Sequence, residues 1–227
     1  MSTYIISDIH GCNLTFRKAL KTIKLKKQDT LVILGDLIDR GFDSKGVIDT
    51  IFLLLENQFN VICVKGNHEQ MFIESFTDIT SKVNWMKNGG KDTLKSFLTS
   101  DIERIPMKYV DFIKSMKTYY ILDGYIMVHA GIDMTVKEPL KDEKSLLWLR
   151  DWEEKYDATW LGERKVIHGH TPTTKMNIIN QVKENKKIVC IDNGVFVNDK
   201  DEYGSLCILK LDDLTFYFEK SIENGNS

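Results

Sequence analysis

The sequence predicts an α/β fold, a sandwich of mixed sheets with a helical insertion, and three observations carry that prediction. Apolar runs rich in β-branched residues at 3–7, 30–34 and 60–64 alternate with stretches at 13–26 and 45–58, each long enough for a helix with an apolar face. A second group of strand-like runs closes the chain, and a mostly helical stretch at 69–117 lies between the two groups. With 227 residues, 42% of them hydrophobic and 28% charged, the chain has the size and composition of one globular domain. That domain is taken as 1–220, with the insertion at about 77–117 and a flexible polar tail at 221–227.

The first five segments form a βαβαβ unit, which implies neighbouring parallel strands with right-handed crossovers. The basic run at 21–27 (KTIKLKK) alternates with Ile and Leu and reads as the solvated face of a helix. Further on, helices are expected at 69–76, 91–99 and 109–117, interrupted at Asn88-Gly89-Gly90. Runs at 118–122 and 125–129 flank Asp123-Gly124, a pair suited to a two-residue hairpin turn. Residues 132–163 read as loop with a tryptophan-bearing helix around 143–154. Strands follow at 165–168, 187–191, 205–210 and 215–219, the last two joined through Asp212-Asp213.

Composition excludes several function classes. The 31 Lys plus Arg against 33 Asp plus Glu give a net charge of −2, which points to neither nucleic acid nor a membrane surface. No apolar run approaches the ~18 residues of a membrane span. The first residues carry neither the cationic region nor the cleavage site of a signal peptide. Cys12, Cys63, Cys190 and Cys207 form no CxxC pair and read as reduced packing thiols, so a cytoplasmic protein is expected.

The chemistry-bearing residues cluster where apolar runs stop. The clusters are Asp8-Ile9-His10-Gly11, Gly35-Asp36-Leu37-Ile38-Asp39-Arg40-Gly41, Gly66-Asn67-His68-Glu69, His129-Ala130-Gly131 and His168-Gly169-His170-Thr171. In a parallel sheet such stops line the edge where ligands bind. All five histidines lie within two residues of a glycine, as expected of side chains presented from tight turns. Asp8, His10, Asp36, Asn67, His129 and His170 offer oxygen and imidazole donors without thiolates, a set suited to manganese, iron or zinc. Six donors exceed the needs of one ion that keeps positions open for water. Two ions ~3.5–4 Å apart sharing the central Asp36 use them well. Arg40 carries a planar fork that matches phosphoryl oxygens. His68 is placed to protonate a leaving oxygen, and Asp39 to hold its tautomer.

The ordered motifs DxHG, GDxxDRG, GNHE, HAG and GHT resemble those of the calcineurin-like metallophosphoesterases. The form GDLIDRG with GNHE is similar to the subgroup of serine/threonine phosphoprotein phosphatases, their bacterial and phage relatives, and dinucleoside tetraphosphate hydrolases. The match runs from Tyr4 to about Gly194. The resemblance implies a four-layer α/β/β/α sandwich and a two-metal phosphoester hydrolase, manganese being the expected metal and iron or zinc the alternatives. A water or hydroxide bridging the two ions would attack phosphorus. Asp8 and His10 would hold one ion, Asp36 would bridge, and Asn67, His129 and His170 would hold the second. Asp39 and His68 would form the acid pair, with Arg40 gripping phosphate. Arg150, in Leu147-Trp148-Leu149-Arg150, would be the second phosphate-binding arginine. The expected activity is phosphomonoester hydrolysis of serine/threonine protein phosphatase type, with dinucleoside polyphosphate hydrolysis as the alternative. The expected substrate is thus a phosphorylated protein or peptide, a small phosphoester or a dinucleotide.

Other residues carry weaker signals. The family's frequent GHxH ending is absent, because Pro172 stands where a second ligand would be. His168 reads as structural or supporting rather than ligating, Asp192-Asn193-Gly194 as a turn, and Glu69 as an early helix residue complementing the dipole. Trp85-Met86-Lys87-Asn88-Gly89-Gly90 reads as a packed Trp with a Gly turn, or else as a wall of the substrate pocket. Trp148, Trp152 and Trp160 read as packing residues, with stacking on a nucleobase as the alternative.

Overall fold

The computed structural model describes residues 1–197 and 202–223, and residues 224–227 of the expected tail lie outside it. Strands β1 (Thr3–Ile6), β2 (Thr30–Ile33) and β3 (Asn60–Cys63) pair in parallel, with α1 (Asn13–Thr22) and α2 (Ser44–Glu56) as crossovers. After β3 come α3 (Asn67–Glu74), α4 (Ile79–Trp85), a π-turn at Met86–Gly90, α5 (Lys91–Ser96) and α6 (Met107–Ser115), the last three helices falling within the stretch read as an insertion. Strands β4 (Tyr119–Leu122) and β5 (Tyr125–Val128) form the hairpin. Its turn residues Asp123 and Gly124 both have positive φ, 48° and 82°, as a type I′ turn requires. The chain continues through α7 (Glu143–Trp148), α8 (Ala158–Leu161), β6 (Lys165–His168), α9 (Lys175–Lys183), β7 (Ile188–Cys190), β8 (Ser205–Lys210) and β9 (Thr215–Lys220).

The strands build a five-stranded sheet, β3-β2-β1-β8-β9, and a four-stranded sheet, β4-β5-β6-β7. Both sheets are mixed: β8 runs antiparallel to β1, and β4 antiparallel to β5. Side-chain alternation explains how the sheets stack. Tyr4, Ile6, Leu31, Ile33 and Ile208 face a core shared with Phe16, Ile48 and Phe72 of the flanking helices. Ile5, Val32, Met127, Ile167, Val189 and Leu209 point the other way into an apolar layer between the sheets. Ile126, Val128, Val166 and Ile188 face a third core with Leu146 and Leu161 of α7 and α8. The order helices, sheet, sheet, helices is the expected four-layer sandwich.

Several boundaries differ from expectation. The helix expected to 26 stops at Thr22, because Lys24 takes a left-handed φ of 51° and Leu25 N–H closes on the Leu20 carbonyl. The helix expected to 58 ends at Glu56 in the same way, through Gln58 at φ 63°. The helix expected around 143–154 ends at Trp148, where Leu149 is extended. The sequence did not announce α4 or α9. Of the expected tail, Glu223 accepts from Thr15 N–H at 2.7 Å and Ile222 N–H donates to Thr15 Oγ1, which ties this segment to α1. All four cysteines are free. No helix among the described residues is long and apolar enough to cross a membrane.

Candidate metal centre

The loops after β1, β2, β3, β5 and β6 converge at one edge of the sandwich, and the donor residues sit in them. Asp8 follows β1, Asp36 follows β2, Asn67 opens α3 just after β3, His129 follows β5 and His170 follows β6. Asp8, His10, Asp36, Asn67, His129 and His170 are all buried. His10, Asp36, Asp39, Arg40 and His170 have φ between 44° and 71°, the left-handed region that costs a non-glycine residue free energy. The sheets meet closely here. A Cβ on Gly169 would coincide with the Asp8 carboxylate, so only glycine lets the β6 loop approach β1. The His170 backbone N–H then donates to both Asp8 oxygens, at 3.2 and 3.1 Å.

Two of the rings are oriented by their far nitrogen. His10 Nδ1–H donates to the Ile38 carbonyl at 3.0 Å, and His129 Nδ1–H donates to the Leu34 carbonyl at 2.9 Å. Both Nε2 lone pairs are thereby aimed inward, the arrangement metal-binding imidazoles use. His10 Nε2 lies 3.4 Å from Asp36 Oδ2, and His129 Nε2 lies 3.5 Å from Asp36 Oδ1. His129 Nε2 is also 2.9 Å from Asn67 Oδ1 and 3.1 Å from His170 Nδ1. Two tight donor groups result, His10 with Asp36 and His68, and Asp36 with His129 and His170. Asp36 belongs to both.

The donor chemistry fits divalent cations. His129 Nε2, His170 Nδ1 and Asn67 Oδ1 face one another at 2.9–3.1 Å, a cluster of donor atoms that a cation between them would use. Burial pushes Asp8 well above the ordinary carboxylate range, with Asp192 and Asp36 adding to it, and Asp36 up to about 7 even though His68 and Arg40 pull it down. Burial also pushes His10 and His129 well down and His170 to about 3, which leaves the rings neutral and able to ligate. Asp8 is not in either tight group; its oxygens face the His170 N–H beside them.

Around this centre the remaining predicted residues take distinct places. His68 Nδ1 lies 2.7 Å from Asp39 Oδ2, while its Nε2 is buried without a hydrogen-bond partner and lies 3.9 Å from Asp36 Oδ2. Burial pushes Asp39 up to about 8, against donors from Thr93 and Trp85 that pull it down. Arg40 sits on the His10 side, its Nη1 3.0 Å from His10 Nε2 and its guanidinium 4.5 Å from the Phe196 ring centre. Arg150 sits on the opposite side, donating to Thr171 Oγ1 at 2.8 Å beside His170. Both arginine side chains are solvent-accessible, Arg40 beside His10 and Arg150 beside Thr171 next to His170.

His168 turns away from the centre. Its ring rests on Trp152 at 5.4 Å and its Nε2 faces Glu153 at 3.5 Å. Trp152 is buried and Trp160 pairs with Arg164, but Trp148 is 41% exposed with its edge toward the His170 ring. Cys12 is buried, its thiol pushed up to about 12 by burial, which suits a packing role. Asp192 shapes the expected turn by accepting from Gly194 N–H at 2.7 Å.

Two supports were not read from the sequence. Glu69 does lie early in α3, but its buried carboxylate accepts from the backbone N–H groups of Asp36, Leu37 and Gly66 at 2.8, 2.8 and 2.9 Å. It thus fixes the turn that carries Asp36. Thr93 donates to Asp39 Oδ1 at 2.6 Å. The Glu69 contact to Gly66 is a local capping-box spacing, but nothing local in the sequence marks its reach to Asp36 and Leu37 or the contact of Thr93.

Comparison with known proteins places these features. The family model described as calcineurin-like phosphoesterase matches residues 1–208. A serine/threonine-protein phosphatase 1 of Salmonella typhimurium is 30% identical over 178 residues, covering 74% of this chain and 78% of that protein. An asymmetrical bis(5'-nucleosyl)-tetraphosphatase of Anoxybacillus flavithermus is 28% identical over 220 residues, covering 84% of each chain. Among solved structures, a serine/threonine phosphatase from Saccharomyces cerevisiae shares the fold with a TM-score of 0.72 at 15% identity, over 98% of this chain and 80% of that one.

Proposed function

The chain belongs to the calcineurin-like phosphoesterase family and is a metal-dependent phosphatase, and from this premise we propose that it hydrolyses phosphomonoesters of the phosphoserine and phosphothreonine type. The observation that carries the reading is the Asp36 carboxylate shared by two donor groups, with a guanidinium on each flank. In this proposal Asp8 and His10 would hold one divalent ion, Asn67, His129 and His170 would hold the second, and Asp36 would serve both. Manganese is the proposed metal. Two such ions lower the pKa of a bound water toward neutrality and polarise phosphoryl oxygens.

The chain's own residues do the rest. Arg40 and Arg150 hold phosphoryl oxygens from opposite sides and offset the charge that gathers on them. His68, with Nε2 aimed at the centre and Nδ1 held by Asp39, delivers a proton to the leaving oxygen. Asp36→Asn is expected to abolish manganese-dependent turnover. His68→Asn is expected to keep the manganese stoichiometry and to lose about 10²–10³ in kcat. A His68→Asn protein that binds no manganese would make His68 a ligand instead.

A second reading, dinucleoside polyphosphate hydrolysis, draws on one specific observation: Trp148 stands exposed beside His170, where it would stack a nucleobase. The test is turnover of a phosphothreonine peptide against diadenosine tetraphosphate by the manganese-loaded protein. Higher kcat/KM for the peptide, unchanged in Trp148→Ala, supports the phosphomonoesterase. Higher kcat/KM for the dinucleotide, lost in Trp148→Ala, moves the assignment to the second reading.

A further inference from the structure

Of the two roles its sequence offers, the Trp85–Gly90 stretch takes that of a packed Trp with a Gly turn, for Trp85 is fully buried and so cannot wall a pocket, yet its indole does more than pack. Its indole Nε1–H points at the Asp39 carboxylate, 3.1 Å from Oδ1 and 3.0 Å from Oδ2. Thr93, one turn into α5, donates to Oδ1, and His68 Nδ1 meets Oδ2. Ser44 closes the group: it accepts from Asp39 N–H at 3.0 Å and its hydroxyl contacts Thr93 Oγ1 at 2.9 Å. Trp85 and Thr93 therefore both donate to the Asp39 carboxylate, Thr93 on the oxygen away from His68 Nδ1 and Trp85 across both oxygens. An indole N–H has no acceptor capacity, so Trp85 favours the ionised carboxylate alone.

The backbone of the same stretch is moulded to the same place. Gly89 has φ 114°, and a Cβ there would lie 2.7 Å from Arg40 N and 3.0 Å from Asp39 Cβ. Gly90 lies flat against the Trp85 ring, where a Cβ would collide with it. Asp39 and Arg40 are consecutive left-handed residues, at φ 70° and 69°. The π-turn thus braces the strained pair from behind while the indole holds its carboxylate.

We propose that Trp85, aided by Thr93, is a positioning residue for the acid pair, holding the Asp39 carboxylate so that His68 keeps its proton-donating nitrogen on the leaving oxygen. The helical insertion is then part of the proton-delivery apparatus of the core domain. The inference rests on the reading of His68 as the acid, and the experiment separates the two.

The manganese-loaded parent, Trp85→Phe, Thr93→Val, Thr93→Ser and His68→Asn proteins are compared on phenyl phosphate, whose leaving group needs a proton, and on 2,4-dinitrophenyl phosphate, whose leaving group does not. Trp85→Phe keeps most of the ring but loses the donor. It is expected to lower kcat on phenyl phosphate about 10–100-fold, within the range that general-acid catalysis supplies, with KM and manganese stoichiometry unchanged. On the dinitrophenyl ester kcat is expected to stay within about threefold, the acid contributing little there. Thr93→Val should show the same selective loss, and Thr93→Ser, which keeps the hydroxyl, should turn over both esters like the parent. Equal loss on both substrates, or no loss on either, in Trp85→Phe overturns the proposal. If His68→Asn itself shows no leaving-group selectivity, the acid reading falls first.

A measurement independent of turnover covers the case where Trp85→Phe does not fold. In the ¹⁵N-labelled protein, the Trp85 indole N–H resonance should lie far downfield, exchange slowly and move upfield in Asp39→Asn. An indole resonance unmoved by Asp39→Asn overturns the proposal.

Discussion

Left-handed backbone at His10, Asp36, Asp39, Arg40 and His170 concentrates strain in the residues that build the centre, each costing about 1–3 kcal/mol. Such conformations persist only where surrounding contacts over-determine them, and Glu69 supplies those contacts for Asp36. Glu69→Gln replaces one acceptor oxygen with a donor facing backbone N–H groups in a buried place. The expected loss is about 2 kcal/mol of stability, read from urea denaturation, together with weaker manganese binding by calorimetry. An unchanged urea midpoint would contradict this role. At this scale the donor residues were legible because each sits beside a glycine at the end of an apolar run. Glu69, Trp85 and Thr93 were not, because their partners lie 33, 46 and 54 positions away in sequence. Only the fold brings those groups together.

At the scale of elements, the strands and the hairpin were legible from period-two apolar patterns and from Asp123-Gly124. The ends of α1 and α2 were not, since Lys24 and Gln58 take the left-handed positions that usually announce themselves as glycine. The short α9 escaped for a different reason: Ile178 and Val182 give it a single pair of inward apolar side chains, too sparse a signal to count. Elements far apart in sequence are joined by individual polar contacts. Glu219 on β9 accepts from Thr22 Oγ1 at 2.6 Å and pairs with Lys18 at 2.8 Å on α1. Burial pushes its carboxyl up, but Lys18 and Thr22 outweigh burial and hold it below the ordinary value. A carboxyl lowered on folding stabilises fully above its unfolded pKa, about 4.5, and that contribution fades as pH falls through the folded value. Glu219→Gln is therefore expected to cost about 1 kcal/mol at pH 7 and progressively less below pH ~4.5, read as converging urea midpoints. A difference that stays constant with pH would assign the loss to packing instead.

At the scale of the molecule, buried carboxylates and imidazoles able to hold divalent cations predict that such cations stabilise the folded state. Removing them with EDTA is expected to lower the thermal midpoint, and manganese to restore it. At a hundredfold excess over Kd a single ion adds about 2.7 kcal/mol, a shift of roughly 5–10 °C for a chain of this size. Coincident melting curves with and without manganese would count against ligation by these residues.

The two sheets also contribute separately to the centre: Asp8, His10, Asp36 and Asn67 stand on the loops of one, His129 and His170 on those of the other. What separates the sheets is the apolar layer of Ile5, Val32, Met127, Ile167 and Val189. That layer acts as a spacer, and in the proposed metal centre its thickness would set the bite of the donor cage above it. The gauge of a wholly polar site is thus written in hydrocarbon volume. Exchanging one methylene in the spacer would retune the cage while leaving every donor atom in place.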